Sequence, residues 1–314
     1  MALTLQQTYF AVFGGLVLLA AAGSLLAHRL AQRTTEPVKL TWIAQLNSRI
    51  HAGWLIALLF AIGFALGEAA LAVLFALASF FALREFVALT PIKPADHLAL
   101  VVAFYVVIPL QYVLVVSGWY QLYAVFIPVY LFLVLPVVMA WRQDTELYLQ
   151  RVAKVQWGLM LSVFCVSHAP AIATLEPPGY EGRGLLLLLY FLLVVQLSDV
   201  FAVMASASVG RTPLRSNPNK SREGVLIGGA AAVVVGTALW WMTPFSWWQA
   251  ALMATATVVS GALSGMVLAS VKRSLGERQW DQGVALSRGV LERLEGITFS
   301  APVFFHLTVY FFVP

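Results

Sequence analysis

The sequence predicts an all-α polytopic integral membrane protein, a helical bundle of about ten transmembrane helices with both termini outside. Of its 314 residues, 61% are hydrophobic and only 11% are charged, and the mean hydropathy is +0.86, values outside the range of soluble globular domains. The apolar residues form long runs without strand-like alternation, which favours helices over a barrel. The single cysteine, Cys165, excludes an intrachain disulfide and a cysteine-based zinc cluster.

The polar residues around the first three apolar runs indicate where the predicted helices begin and end and which side of the membrane they face. No basic residue precedes the first run, which argues against a signal peptide and places its start outside. Apolar residues recur at helical spacing between positions 40 and 50, which predicts a separate amphipathic helix on the inner surface. Only Glu68 separates the second run from the third, which predicts a tight hairpin. The predicted spans are 9–28, 54–67, 69–83, 98–116, 122–139, 155–174, 185–209, 225–242, 248–269 and 297–313.

Helix breakers and interfacial aromatics separate the later runs. Pro91 and Pro94 interrupt the chain after the third run, and Pro177-Pro178-Gly179 marks an outer loop. Tryptophans on both sides of segment 243–246 are typical of a membrane interface. Four prolines inside three of the predicted helices indicate kinks around an internal cavity: Pro109, Pro128, Pro136 and Pro170.

The distribution of cations sets the predicted orientation. Of the 19 Lys and Arg residues, only Arg183 falls in a predicted outer loop, as the positive-inside rule requires. Because the cations are scattered between apolar runs, they form no stripe that would bind nucleic acid. We expect one membrane domain over residues 1–314, with N-terminal helices in 1–180 and a catalytic-like part in 181–314. The expected location is the inner membrane of a bacterium.

Two long polar insertions, 210–224 and 270–295, are predicted on the inner side, joined by a single helical hairpin. Together they carry nine cations and five carboxylates. Such side chains suit a nucleotide or another polyphosphate, and carboxylates beside phosphates suit Mg²⁺. The simpler alternative is a pair of solvated loops that anchor the inner surface.

Asp199 interrupts the seventh apolar run near its inner third. A carboxylate facing lipid there costs about 2.5 kcal/mol or more, so an acid at this depth is expected to pair or to bind a ligand. A functional role and a structural ion pair with a basic residue both remain open.

Several segments resemble one enzyme family. Asp199, followed by Gly210-Arg211 and the run 217–224, resembles the Asp…Gly-Lys…Ser-Pro-x-Lys-Thr-x-Glu-Gly region of the phosphatidate cytidylyltransferases, the CDP-diacylglycerol synthases. Segments 272–276 and 289–295 resemble the same family's Lys-Arg-Ser-x-Gly and Gly-Val-Leu-Asp-Arg-x-Asp signature, with the spacing kept. Segment 82–86 resembles an early Leu-Arg-Glu-Phe. The resemblance covers the C-terminal third well and the remainder mainly by hydropathy.

The chain also departs from the family's pattern. Ser264-Gly265 stands where the family has Gly-Asp, Arg278-Gln279 where it has Lys-Asp, and Ser287-Arg288-Gly289 where it has His-Gly-Gly. Both aspartates of the last motif are glutamates here, Glu292 and Glu295. Because one metal carboxylate and one histidine are absent, the sequence is interpreted as a divergent paralogue branch.

The resemblance implies transfer of CMP from CTP to phosphatidate, or another lipid phosphate, with Mg²⁺ and a possible second cation as cofactors. It implies membrane lipids as surroundings and is compatible with a homodimer. The catalytic residues that it implies are Asp199, Lys220, Lys272, Arg273 and Arg293. The implied substrate-binding residues are Arg211, Asn219, Ser221, Arg222, Glu223 and Arg288. The implied metal ligands are Asp199, Glu292 and Glu295.

Other functions remain open. A non-catalytic lipid-phosphate-binding relative or a CTP-dependent lipid kinase would fit the departures from the family's pattern. A transporter would fit kinked helices with one buried acid, although the sequence shows no inverted repeat. His168 and His306, toward the outer side, are interpreted as hydrogen-bonded structural histidines, with a proton relay as the alternative.

Overall fold

A computed structural model describes residues 5–32, 37–90, 93–214, 220–276 and 289–313. Most of these residues are helical, and the described part contains no strand beyond one isolated bridge between Pro213 and Ser221. The all-α fold class is therefore confirmed. The helical segments are α1 (Leu5–Gln32), α2 (Pro37–Leu66), α3 (Glu68–Ala88), α4 (Pro94–Val116), α5 (Tyr120–Ala140), α6 (Tyr148–Ala173), α7 (Gly184–Val209), α8 (Arg222–Ala238), α9 (Trp247–Ser274) and α10 (Val290–Phe312).

Seven helices in the described part of the chain are long and apolar enough to cross a membrane, namely α1, α3, α4, α5, α6, α7 and α9. Of the others, α2 has a shorter apolar stretch, Gly53–Leu66, α8 has 17 residues, and α10 carries charges in its first two turns. Each predicted span coincides with a helix, and the protein is an integral membrane protein. The number of crossings and the side on which the termini lie stay predictions.

The second helix differs from the prediction. The chain between 37 and 66 forms one continuous helix, so the separate amphipathic helix expected between 40 and 50 is the first part of α2. Helix α2 is continuous because no proline and no pair of glycines interrupts the segment after Pro37. Pro37 itself occupies the first helical position, where proline is favoured. Gly67 ends α2 and turns the chain into α3 with φ of 82°, a conformation that glycine adopts without strain.

Glycines allow α8 to pack closely on α7. A Cβ placed on Gly228 would lie 2.2 Å from the backbone nitrogen of Ala202, and one on Gly224 would lie 1.9 Å from Ser206 Oγ. Two helix backbones therefore meet here without intervening side chains, the arrangement that small residues favour between membrane helices. This contact fixes the start of α8 against the C-terminal half of α7.

Helix α10 is held at both ends. Near its C-terminal end, the ring of Phe304 lies 5.3 Å from that of Phe191 in α7 and 6.1 Å from that of Phe245, which precedes α9. Near its start, the carboxylate of Glu85 in α3 accepts hydrogen bonds from the backbone of α10. The fold thus positions the first turns of α10 beside α7 and α9.

Candidate functional site

Asp199 and Lys220 form the centre of the candidate site. Lys220 Nζ lies 2.8 Å from Asp199 Oδ1, although the residues are 21 positions apart. Their side chains are 16% and 31% exposed for lysine and aspartate, so both charges are partly removed from solvent. The ion pair gives the acid in α7 the basic partner that the structural interpretation requires, and a functional role of Asp199 stays a prediction.

Ser221 and Ser206 build the turn that presents Lys220. The Ser221 backbone N–H donates to Ser206 Oγ at 2.9 Å, which ties the loop to α7. Ser221 Oγ in turn accepts from the Gly224 N–H at 2.9 Å and caps the N-terminus of α8. Lys220 therefore immediately precedes a residue that is fixed on both sides.

Glu223 orders the beginning of the same loop. Its carboxylate accepts the N–H of Thr212 and of Arg211 at 3.1 Å each, and the Thr212 hydroxyl at 2.8 Å. These hydrogen bonds, the Thr212 N–H first among them, lower the pKa of Glu223 to about 2. Glu223 and Ser221, both predicted as substrate-binding residues, thus have structural partners inside the loop, and direct contact with substrate stays a prediction.

Glu295 brings α10 into the site. Burial raises the pKa of this carboxyl group, which lies outside the seven apolar spans. The charges of Lys220 and Lys272 oppose that rise, whereas Asp199 and Glu292 add to it. Glu295 is therefore within electrostatic reach of all four groups, which belong to the described ends of the two insertions and to α7. Convergence of the complete insertions stays a prediction.

Helix geometry places these groups on facing surfaces. Glu292 and Glu295 are three residues apart on one face of α10, and Gly265 and Lys272 are seven apart on one face of α9. The two faces touch at Gly265, where an added Cβ would lie 2.6 Å from Glu295 Oε1. The sequence indicated only that position 265 lacks a carboxylate; the structure places the carboxylate of Glu295 against it.

Glu85 is a residue of the site's framework that the sequence analysis missed. Its Oε1 accepts the Val290 N–H at 2.7 Å and its Oε2 accepts the Leu291 N–H at 2.9 Å. A carboxylate at a helix N-terminus satisfies free backbone donors and opposes the positive end of the helix dipole. Segment 82–86 had been noted only as part of a resemblance, because a contact across 205 positions leaves no local pattern.

Four of the predicted arginines have solvent-exposed side chains. Arg211, Arg222, Arg273 and Arg293 are all exposed. Asn219 and Arg288 lie outside the described residues, as do Gln279 and Ser287. Among the described residues, Asp199 and Lys220 are in direct contact, and Glu295 lies within electrostatic reach of this pair and of Lys272 and Glu292.

The carboxylates fit a magnesium site completed by substrate. Among the described residues, no three His, Cys, Asp or Glu side chains are arranged as a ready metal cage. Mg²⁺ commonly uses one or two carboxylates together with phosphate oxygens and water, which Asp199 and the half-buried Glu295 could supply. The three-ligand set with Glu292 stays a prediction.

His168 and His306 form a separate cluster in the C-terminal parts of α6 and α10, away from the start of α10 where Glu295 lies. His168 is fully buried, its Nδ1 lies 2.7 Å from the Phe164 carbonyl oxygen, and its ring lies 5.1 Å from that of His306. Since a carbonyl only accepts, Nδ1 carries a proton and donates it to the Phe164 carbonyl oxygen. This bond agrees with a structural histidine and leaves the relay untested.

Comparison with known proteins assigns the family. A sequence profile described as "Cytidylyltransferase family" matches residues 47–311, which is most of the chain. The chain belongs to the cytidylyltransferase family. The chain is 29% identical over 313 residues to the Escherichia coli (strain K12) protein named "Uncharacterized protein YnbB", covering 98% of the chain and 99% of that relative.

Relatives with a named activity cover less of the cytidylyltransferase chain. A phosphatidate cytidylyltransferase of Helicobacter pylori (strain J99) is 28% identical over 193 residues, 58% of this chain and 72% of that protein. One of Mycobacterium leprae is 32% identical over 153 residues, 45% of this chain and 47% of that protein. The recognised family resemblance is confirmed, and similarity along the full length to YnbB agrees with a divergent branch.

Proposed function

We propose that this cytidylyltransferase transfers CMP from CTP to phosphatidate and releases pyrophosphate, with CDP-diacylglycerol as the lipid product. The observation that carries the proposal is the Lys220–Asp199 ion pair together with the partly buried Glu295, whose carboxyl group lies within electrostatic reach of Lys220 and Lys272. Cations beside partly buried carboxylates suit a phosphate chain and its divalent ion. The named activity of several relatives supports the same reaction.

In the proposed reaction, a phosphate oxygen of phosphatidate attacks the α-phosphorus of CTP. A new P–O bond forms there, the bond from the α-phosphorus to the bridging β-oxygen breaks, and pyrophosphate leaves with the electron pair. Catalysis of this kind depends mainly on alignment and charge neutralisation. Lys220 and Lys272 are placed to bind phosphate oxygens, and Asp199 holds Lys220 in position.

Mg²⁺, with a possible second cation, is the proposed cofactor, and when bound it neutralises charge on the phosphates. Asp199 and Glu295 would hold it, with Glu292 as the further predicted ligand. Residues proposed to contact the triphosphate or the lipid phosphate are Arg211, Asn219, Ser221, Arg222, Glu223, Arg273, Arg288 and Arg293. A guanidinium matches phosphate geometry with two parallel hydrogen bonds, which suits the exposed arginines.

The proposed location is the inner membrane of a bacterium, with both polar insertions on the cytoplasmic side. CTP would then reach the site from the cytosol and phosphatidate from the adjoining leaflet. The cation asymmetry around the predicted spans supports this orientation.

The deciding experiment uses purified protein, phosphatidate vesicles, Mg²⁺ and CTP labelled separately in the cytosine and in the γ-phosphate. Cytosine label in the lipid with equimolar pyrophosphate supports the proposal. Transfer of γ-phosphate without cytosine would indicate a lipid kinase. Binding of phosphatidate without any transfer would indicate a non-catalytic relative, and either of these two results would overturn the proposal.

A further inference from the structure

Glu295 fills a space that α9 leaves open at Gly265. A Cβ placed on Gly265 would lie 2.6 Å from Glu295 Oε1, 3.4 Å from Cδ and 3.7 Å from Cγ. The side chain therefore approaches α9 with its carboxylate foremost. A real Cβ at 2.6 Å from an oxygen would force that oxygen to move, because atoms of this size do not approach so closely.

The helices themselves have little freedom to separate. One turn before Gly265, a Cβ on Gly261 would already lie 3.2 Å from the carbonyl oxygen of Gly296, so the two backbones are close. On its other side, a Cβ on Gly296 would lie 2.9 Å from Val195 Cγ1 of α7. Since α10 is confined between α9 and α7, a side chain at 265 would displace the Glu295 carboxylate rather than the helix.

We propose that Gly265 is a positioning residue, whose missing side chain lets the Glu295 carboxylate lie against α9 within the Asp199–Lys220 cluster. The same geometry implies that positions 265 and 295 are exchangeable sources of one carboxylate. An acid rooted at 265 would reach the place that Glu295 now fills, provided that residue 295 is shortened. The part of this inference that concerns reaction rate rests on the proposed function. The part that concerns cation binding does not, and it can be tested by itself.

The test compares five proteins with wild type: Gly265→Ala, Glu295→Asp, Gly265→Ala with Glu295→Asp, Gly265→Asp with Glu295→Ala, and Gly261→Ala. Gly261→Ala is the matched control, because it adds the same methyl group one turn away at the same helix contact. Mn²⁺ binding in the presence of CTP is measured by electron paramagnetic resonance, and CMP transfer is measured in parallel. Thermal unfolding in detergent verifies that each variant is folded.

We expect Gly265→Ala to weaken Mn²⁺ binding at least about tenfold and to slow CMP transfer about 100-fold, the effect of misplacing a reacting group by about an ångström. Shortening residue 295 to Asp in the Gly265→Ala background should restore most of both, although Glu295→Asp alone is impaired. Gly265→Asp with Glu295→Ala should bind Mn²⁺ within about tenfold of wild type. Gly261→Ala should weaken binding less than Gly265→Ala does, because its methyl group presses on the Gly296 backbone at 3.2 Å and not on the Glu295 carboxylate.

Three results would overturn the inference: wild-type binding in Gly265→Ala, an equal loss in Gly261→Ala, or no recovery in either double variant. Absence of Mn²⁺ binding in the wild type would overturn it as well. If the expected binding pattern appears but no protein transfers CMP, the proposed function fails while the positioning role of Gly265 stands.

Discussion

Asp199 and Lys220 have opposite charges, and each is costly to keep alone in this setting. Both side chains are less than one-third exposed, so neither is fully hydrated when its partner is removed. Together they form a unit in which the carboxylate of Asp199 fixes the ammonium group of Lys220. Such coupled groups lose function together rather than independently.

The pair yields a kinetic prediction. We expect Asp199→Asn to lower the CMP-transfer rate at saturating CTP about 100-fold or more, and Lys220→Met to raise the KM for CTP about tenfold or more. Because the residues act as one unit, the double variant should lose little beyond the worse single variant. Initial rates over a range of CTP concentrations measure these effects. Losses that multiply in the double variant would contradict the coupling.

Glu223 gives a prediction of pH dependence. Its pKa falls from the ordinary value of 4.5 to about 2 in the folded loop, so the ionised form stabilises the loop above the ordinary value. That stabilisation should decline as the pH falls below 4.5, and it should be fully lost once the pH has fallen through the folded-state pKa of about 2. Hydrogen exchange of the Thr212 amide should therefore accelerate between pH 5 and 3 beyond the intrinsic rate, by about threefold or more.

The control for this prediction is Glu223→Gln, which keeps an oxygen acceptor but does not titrate. It should show faster Thr212 exchange already at pH 6, with no further excess at lower pH. Glu176→Gln, at an exposed acid in a distant loop, should behave like wild type. Identical pH profiles for wild type and Glu223→Gln would show that the carboxylate does not hold the loop.

Among the elements, the α7–α8 pair most directly determines the position of Lys220. Its backbones meet at glycines, so its geometry depends on the absence of side chains rather than on particular ones. Two neighbouring glycines in α8 differ in what they face. Gly228 faces the backbone of Ala202, whereas a Cβ on Gly229 would lie 3.0 Å from Val258 Cγ1, a side-chain atom that can rotate away.

This difference predicts unequal effects of one methyl group. We expect Gly228→Ala to destabilise the protein by about 1–3 kcal/mol, because α7 and α8 must separate, and to lower CMP transfer through displacement of Lys220. Gly229→Ala adds the same methyl group one residue away and should cost less than about 1 kcal/mol. Denaturation in mixed micelles measures both values. Equal losses, or a greater loss for Gly229→Ala, would show that the close helix contact does not set the stability.

At the scale of the whole molecule, local patterns predicted the helices better than the contacts between them. Apolar runs located all ten helical segments, because the membrane dictates both their length and their composition. The continuity of α2 was missed, since a change from amphipathic to apolar composition does not by itself break a helix. The amphipathic part was therefore assigned to a separate element.

The site shows the same division. Charged residues clustered in two insertions predicted that Asp199, Lys220 and Glu295 come together, because the insertions are joined by one short hairpin. The sequence could not show that Glu85 caps α10, or that Gly265 makes room for Glu295, since both contacts join residues distant in the chain. The family resemblance implied a substrate-binding role for Glu223, and its hydrogen bonds to the loop's own backbone could not be predicted, because a carboxylate has the same sequence pattern in either role.

The number of crossings is the main untested property of the whole molecule, and α8 is where it can be decided. With 17 residues, α8 falls short of the length usually needed to span the hydrocarbon core, although a thinner or locally compressed bilayer accommodates such helices. If α7, α8 and α9 all cross, the loops that follow them alternate between the two sides. If α8 does not cross, the two loops that it connects lie on the same side.

Single-cysteine labelling in intact cells distinguishes these topologies. Cys165 is the sole cysteine and is buried, so Cys165→Ala provides a background into which Glu176→Cys, Ser208→Cys, Trp247→Cys and Ser274→Cys are introduced one at a time, all at exposed positions. We expect a membrane-impermeant maleimide to label positions 176 and 247 from outside and positions 208 and 274 only after permeabilisation, as the positive-inside rule requires. The unmodified protein is the control for unreactive Cys165. Labelling of position 274 from outside, with position 247 protected, would show that α8 does not cross the membrane. The two polar insertions would then lie on opposite sides of the membrane, and the proposed site could not form.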